Sequence, residues 1–320
     1  MRTRILRVLD FDTKRRSSSA TKESDLHKEE MIAALESSGD FKVSRRLKPK
    51  IHLGPAPDGA RRAIFLDVET TGLNPDHDEI IELAMVPFYY SDQDEVVCVG
   101  EAFTGLRQPS STIPAEVTKI TGITDDMVAG QAIDPNAVAE FAGRNLIIAH
   151  NAAFDRPFIE RFCPMVQQNP WACSMSEIGW SDEGYESSKL AFLALSSGFF
   201  YDRHRAESDC RAAIELLARE LPVSGQGALS QLLASARCTS FRCWAEDAPF
   251  ETKDVLKERG YRWNGEANGL PRAWWKDIGE AELEGEKSFL RSEVYRSDKA
   301  IRTAKITAQN RYSRRITPCD

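Results

Sequence analysis

The run Ala63-Ile-Phe-Leu-Asp-Val-Glu-Thr-Thr-Gly-Leu73 constrains this chain most, because an apolar stretch that demands burial leads straight into two acids. Such a run reads as a buried β-strand. Residues i and i+2 of a strand share a face, so Asp67 and Glu69 project together where Thr70-Thr71-Gly72 turns the chain. Like charges that close repel unless a cation lies between them. An all-oxygen donor set suits a hard divalent ion, Mg²⁺ or Mn²⁺, better than zinc. An isolated Asp-x-Glu is also what an ordinary surface strand end looks like, so other stretches must decide.

Two of them do. His150-Asn-Ala-Ala-Phe-Asp155 follows the apolar run Asn145–Ala149 and opens a helical stretch, which puts Asp155 in a first helical turn. His204-Arg-Ala-Glu-Ser-Asp209 opens a second helical stretch and sets a histidine five residues before a carboxylate. Asp67-Val-Glu69, His150-Asn-x-x-Phe-Asp155 and His204-x4-Asp209, in that order, resemble the three motifs of the DEDDh exonucleases. This is the family of the proofreading (epsilon) subunit of bacterial replicative polymerase. Ile113-Pro114 and Thr121-Gly-Ile-Thr124 fit the same pattern. The resemblance runs from about Arg62 to Leu221, with no departure among the five motif residues.

The resemblance implies a ribonuclease H-like exonuclease fold and 3′→5′ hydrolysis of phosphodiesters to 5′-mononucleotides. It further implies two ions, Mg²⁺ or Mn²⁺, held by Asp67, Glu69, Asp155 and Asp209. Asp67 would bridge both, Glu69 and Asp209 would serve the water-side ion, and Asp155 would complete the site. His204 would be the general base, a task that suits an imidazole near neutral pH. Thr70, Thr71 and Leu73 would meet the terminal nucleotide, and Asn151 is placed in the same substrate-binding group, with a structural hydrogen-bonding role as its other reading. Phe154 would support stacking, which tolerates any base, although a place in the core is an equal reading. His150 is expected to serve as a structural hydrogen-bonding group.

Composition sets the outer bounds. With 320 residues, 42% apolar and 28% charged, the chain is expected to be a soluble globular protein with one ordinary core and a smaller second unit. No run reaches the length of a membrane-spanning helix and the N-terminus lacks a signal-peptide core, so the expected location is cytoplasmic, without membrane contact. Seven scattered cysteines point to reduced thiols rather than a disulfide framework. The net charge of −7 does not exclude nucleic acid as partner, since bound metal offsets an acidic site and basic residues cluster locally.

Four segments are expected. Residues 1–57 form a basic and polar extension, unstructured at Ser17–Thr21, with a polar helix over Glu23–Ser37 and a connector carrying Arg45, Arg46, Lys48 and Lys50. Residues 58–222 form the exonuclease domain. Strands are expected at Ala63–Val68, Glu79–Pro87, Glu95–Phe103 and Asn145–Ala149, the first three as an antiparallel meander. Helices are expected at Asn136–Gly143, Ala152–Phe162, Ser188–Leu195 and Glu207–Leu221. The class is α/β, a mixed central sheet flanked by helices.

Residues 223–298 read as a linker helix and a small α+β module, and residues 299–320 as a loose basic tail that touches a nucleic-acid backbone. Four of the six tryptophans, Trp244, Trp263, Trp274 and Trp275, fall in the module among arginines. They fit either a base-stacking surface or the large core residues a small unit needs. The preferred substrate is single-stranded DNA at its 3′ end, with a polymerase or repair partner. RNA as substrate and a non-catalytic nucleic-acid-binding scaffold are the alternatives. The intact acid set argues against the scaffold.

Overall fold

The computed structural model describes residues 26–48, 56–265 and 269–316. Ser17–Thr21, Lys50 and the start of the polar helix lie outside them. Helix α1 spans residues 26–37 and leaves Met31 and Leu35 exposed, because four nearly consecutive apolar residues make no continuous helical stripe. The described part of the connector is tied down. Strand β1 (Arg45–Arg46) pairs in parallel with a short later strand at Phe199–Phe200, and its arginines bond Glu29 and Asp202.

A six-stranded mixed sheet follows. Strands β2 (Arg61–Thr70), β3 (Ile80–Tyr90), β4 (Val96–Val99) and β5 (Phe103–Leu106) form its antiparallel part. Helices α2 (Ala115–Thr121), α3 (Asp125–Val128) and α4 (Pro135–Ala142) lead to β6 (Leu146–Ala149), α5 (Ala152–Phe162) and β7 (Trp171–Cys173). Strands β6 and β7 lie parallel to β2. Helix α6 (Leu190–Ser196), strand β8 (Phe199–Phe200), helix α7 (Ala206–Leu217) and helix α8 (Ala228–Arg237) complete this part.

Alternation along β2 explains the two layers. Ala63 and Phe65 face α7 and α8, while Ile64, Leu66 and Val68 face α4 and α5. Both faces are sealed, each large apolar side chain contributing about 1.5–3 kcal/mol of burial. The α/β class and mixed sheet are therefore as expected.

Two local expectations are corrected, and one strand, β7, was not expected at all. Glu95–Phe103 is two strands, because four steps from Val99 to Phe103 oppose three from Phe88 to Met85. The extra residue breaks the ladder near Gly100, where a side chain would press on Pro87. Strand β7, three residues long, is too short to show a period. Helix α8 is no linker, since Leu229, Leu232 and Leu233 are buried in the same core as Phe65.

Strands β9 (Ser240–Ala245), β10 (Arg262–Trp263), β11 (Trp274–Gly279) and β12 (Thr303–Ile306) build a second, antiparallel sheet in the order β10-β11-β9-β12. Helices α9 (Lys253–Glu258) and α10 (Leu283–Phe289) accompany it. Trp244 is buried, Trp274 and Trp275 pack partly against the core, and Trp263 is exposed. The described part of the basic tail is not loose. Strand β12 belongs to this sheet, residues 307–315 return to α5, where Arg311 and Ser313 are buried, and Ile316 is buried in the cluster around Trp244.

Candidate active site

The β2 stripe that faces α7 ends in Asp67 and Glu69, so the helix that covers Phe65 also covers the acids. The strand leaves register between Glu69 and Thr70 and the chain peels away. Asp209, in the first turn of α7, accepts from the Tyr201 hydroxyl at 2.8 Å and from the Arg205 backbone N–H at 3.1 Å. Asp155 arrives from the opposite layer on the first turn of α5. Its Oδ1 accepts from the Val68 N–H, between the two strand acids, at 3.3 Å.

Asp67, Glu69 and Asp209 each present an oxygen within 4.8 Å of the others. Asp155 stands beside this trio and repels both Asp67 and Glu69. Burial, followed by Asp155, Asp209 and Glu69, pushes Asp67 well above the usual carboxylate range. Burial and then Asp209 raise Glu69 to about 8. Burial raises Asp155 to about 7 against the hydrogen bond from Val68. Asp209 is also raised by burial, although Tyr201, the Arg205 N–H and the nearby His204 charge oppose it.

The cation felt at Glu69 is Arg205, and its guanidinium is already forked onto buried Glu82. Four clustered acids thus share little positive charge. A hard divalent cation meets that need, and the donors are all carboxylate oxygens.

A family model described as Exonuclease (RNase_T) matches residues 64–217. The epsilon subunit of DNA polymerase III from Treponema pallidum is 32% identical over 160 residues, covering 47% of this chain and 72% of the relative. The corresponding Aquifex aeolicus subunit is 28% identical over 166 residues, covering 49% and 79%. The chain belongs to the exonuclease family. Among solved structures, Exonuclease X in complex with 5′ overhanging duplex DNA shares 24% identity, covering 54% of this chain and 98% of that one. Its TM-score of 0.42 is too low to carry weight. The family depends on divalent metal, and the matched residues stop short of the second sheet.

In this exonuclease His204 sits on the loop before α7, exposed and with φ of 61°, a left-handed conformation uncommon away from glycine. The clamp beside it escaped the sequence reading. Glu82 accepts from Arg205 Nε and Nη2 and from the Ala206 N–H, which fixes the residues just after the histidine. An acid inside the otherwise apolar strand Ile80–Tyr90 was the available signal. Tyr201 gave none.

Histidine 150 is spent on structure: its Nε2 donates to the Ser188 carbonyl at 2.8 Å, so Nδ1 accepts from Ser174 Oγ at 2.9 Å. Burial lowers it to about 4, so it stays neutral.

The expected substrate contacts divide. Leu73, Asn151 and Phe154 line one cavity of about 290 Å³ beside the acids' helix. Phe154 also packs on Phe158, ring centres 4.9 Å apart, so its core and pocket roles coexist. The threonine hydroxyls are hydrogen-bonded within the turn. Thr70 donates to the Gly72 carbonyl, and Thr71 accepts from the Glu79 N–H.

Proposed function

We propose that this enzyme is a 3′→5′ exonuclease that shortens single-stranded DNA and releases 5′-mononucleotides in proofreading or repair. The observation that carries the reading is the half-buried trio Asp67, Glu69 and Asp209, with Asp155 beside it and, among the described residues, little positive charge to offset the four. Two Mg²⁺ or Mn²⁺ ions held by these four residues would supply Lewis-acid stabilisation of the phosphate charge and a more acidic water.

The chain's own residues do the rest. His204 takes the proton of the attacking water, and the Glu82–Arg205 clamp keeps the loop that carries it against the acids. Tyr201 and the Val68 N–H orient Asp209 and Asp155. Leu73, Asn151 and Phe154 receive the terminal nucleotide, whose base can stack without regard to identity.

Incubation of 5′-labelled single-stranded DNA and matched RNA with Mg²⁺, Mn²⁺ or chelator tests this. A metal-dependent ladder that shortens from the 3′ end of DNA is expected. Cleavage of RNA alone would move the substrate, and cleavage of neither would sink the reading. Association with a polymerase belongs to the same proposal, motivated by the epsilon relatives, and a pull-down without polymerase would favour a free-standing nuclease.

A further inference from the structure

The cavity lined by Leu73, Pro75, Asn151, Ala153, Phe154 and Pro157 has a further wall from far along the chain, Arg314. This residue lies well beyond the family match, which ends at residue 217. It reaches the cavity because residues 307–315 are bolted to α5. Buried Arg156 donates to the carbonyls of Ala308, Gln309 and Arg311. Ser313 and Arg315, the two neighbours of Arg314, both donate to the Glu160 carboxylate. Gripped on either side, Arg314 is held in the lining of the cavity.

The arginines of this segment are not used alike. Arg311 is spent on buried Glu177 and Arg315 on buried Glu160. Arg314 pairs at 2.8 Å with Asp76, a carboxylate 54% exposed in the turn after β2. An exposed pair of this kind is worth about 0–1 kcal/mol, so an incoming phosphate displaces it at little cost. Arginine also matches phosphate oxygens with a planar fork of donors.

We infer that Arg314 is a substrate-binding residue that grips a backbone phosphate upstream of the scissile one. The inference rests on the exonuclease reading. The scissile group must reach the acids, whereas Arg314 pairs with Asp76, which is not one of the clustered acids. Its partner is thus the next phosphate along the strand, and the C-terminal segment becomes part of the substrate groove.

Steady-state kinetics on a single-stranded oligonucleotide and on the p-nitrophenyl ester of thymidine 5′-monophosphate, which lacks any upstream phosphate, test this with the full chain. Arg314→Ala should raise KM for the oligonucleotide about tenfold, as loss of a charge-assisted contact predicts, and leave its kcat and the ester unchanged. The dependence of log(kcat/KM) on log salt should flatten by about 0.7, one phosphate's worth for a single strand. Arg314→Lys should keep the salt slope, and Asp76→Asn should lower KM. Unchanged oligonucleotide kinetics in Arg314→Ala would overturn the inference, as would equal losses on both substrates, the mark of a purely structural role. A wild-type enzyme inactive on both substrates would instead overturn the exonuclease reading.

Discussion

Asp155 and Arg156 are adjacent on α5 and almost wholly buried, at 2% and 0% exposure, yet their surroundings treat charge in opposite ways. Asp155 stands among three other acids, and burial, followed by Asp209, drives it up to about 7. Arg156 faces the Glu160 carboxylate at 2.7 Å and three backbone carbonyls. Burial pushes Glu160 up, but hydrogen bonds from Arg315 and the Arg156 charge outweigh it and hold it below the usual range. Buried charge is costly in either place. On the Arg156 side the fold supplies the partners, and the charge serves architecture. On the Asp155 side the partners are lacking, and a bound cation must supply them.

The sharpest way to break that contrast is to remove one acid. Asp67→Ala should lower the hydrolysis rate about a thousandfold or more, the equivalent of about 4 kcal/mol of barrier, while far-ultraviolet circular dichroism stays native. Full activity would mean that the trio is not the reacting centre. The opposite face should respond in stability. Arg156→Ala should cost about 3–5 kcal/mol in denaturant unfolding, because Glu160 loses a partner and the last described segment loses its anchor. An unchanged unfolding midpoint would show that the compensated network holds nothing.

His204→Ala should lie below Asp67→Ala in effect, a loss of about a hundredfold that flattens the acid limb of the pH–rate profile. A rate loss with no change in that profile would leave His204 a bystander. Glu82→Gln should reproduce part of this loss through the loop, with activity recovered when Arg205 is kept paired by Glu82→Asp.

How much of this contrast was legible in the sequence depends on where each partner lies. The acid side was open to inspection. Asp67 and Glu69 end an apolar strand at period two, and Asp155 and Asp209 open helices whose starts are marked by sequence. The compensated side was hidden. Arg156 bonds carbonyls about 150 residues away, and a backbone carbonyl has no sequence signature. For the same reason the tail read as loose, since Arg311, Arg314 and Arg315 resemble any basic terminus until Glu177, Asp76 and Glu160 are placed beside them. Glu82 stood out in its apolar strand, but its partner Arg205 lies 123 residues away, and α8 was concealed by a preceding Pro-Val-Ser-Gly stretch that looks like a hinge.

The smallest expected effect is a pH dependence of stability without metal. Glu69 keeps its proton in the fold up to about 8, against an ordinary value of 4.5, so the folded state binds more protons between those limits. Stability must then fall as pH rises through that range. Neutral His150, lowered to about 4 from 6.5, works in the opposite direction below pH 6.5. The melting temperature in chelator should therefore fall between pH 6.5 and 8, and added Mn²⁺ should reverse the fall. A flat or rising trend in that window would show that the acids are not held against their charge.

The most direct measurement is thermal unfolding of the wild type and Asp67→Asn at pH 8, first in chelator and then with Mn²⁺. In chelator the variant should melt above the wild type, because one repelling group has gone. Mn²⁺ should then raise the wild type and leave the variant nearly unmoved. A wild type indifferent to Mn²⁺, or a variant less stable than the wild type in chelator, would contradict the claim that these acids await a cation.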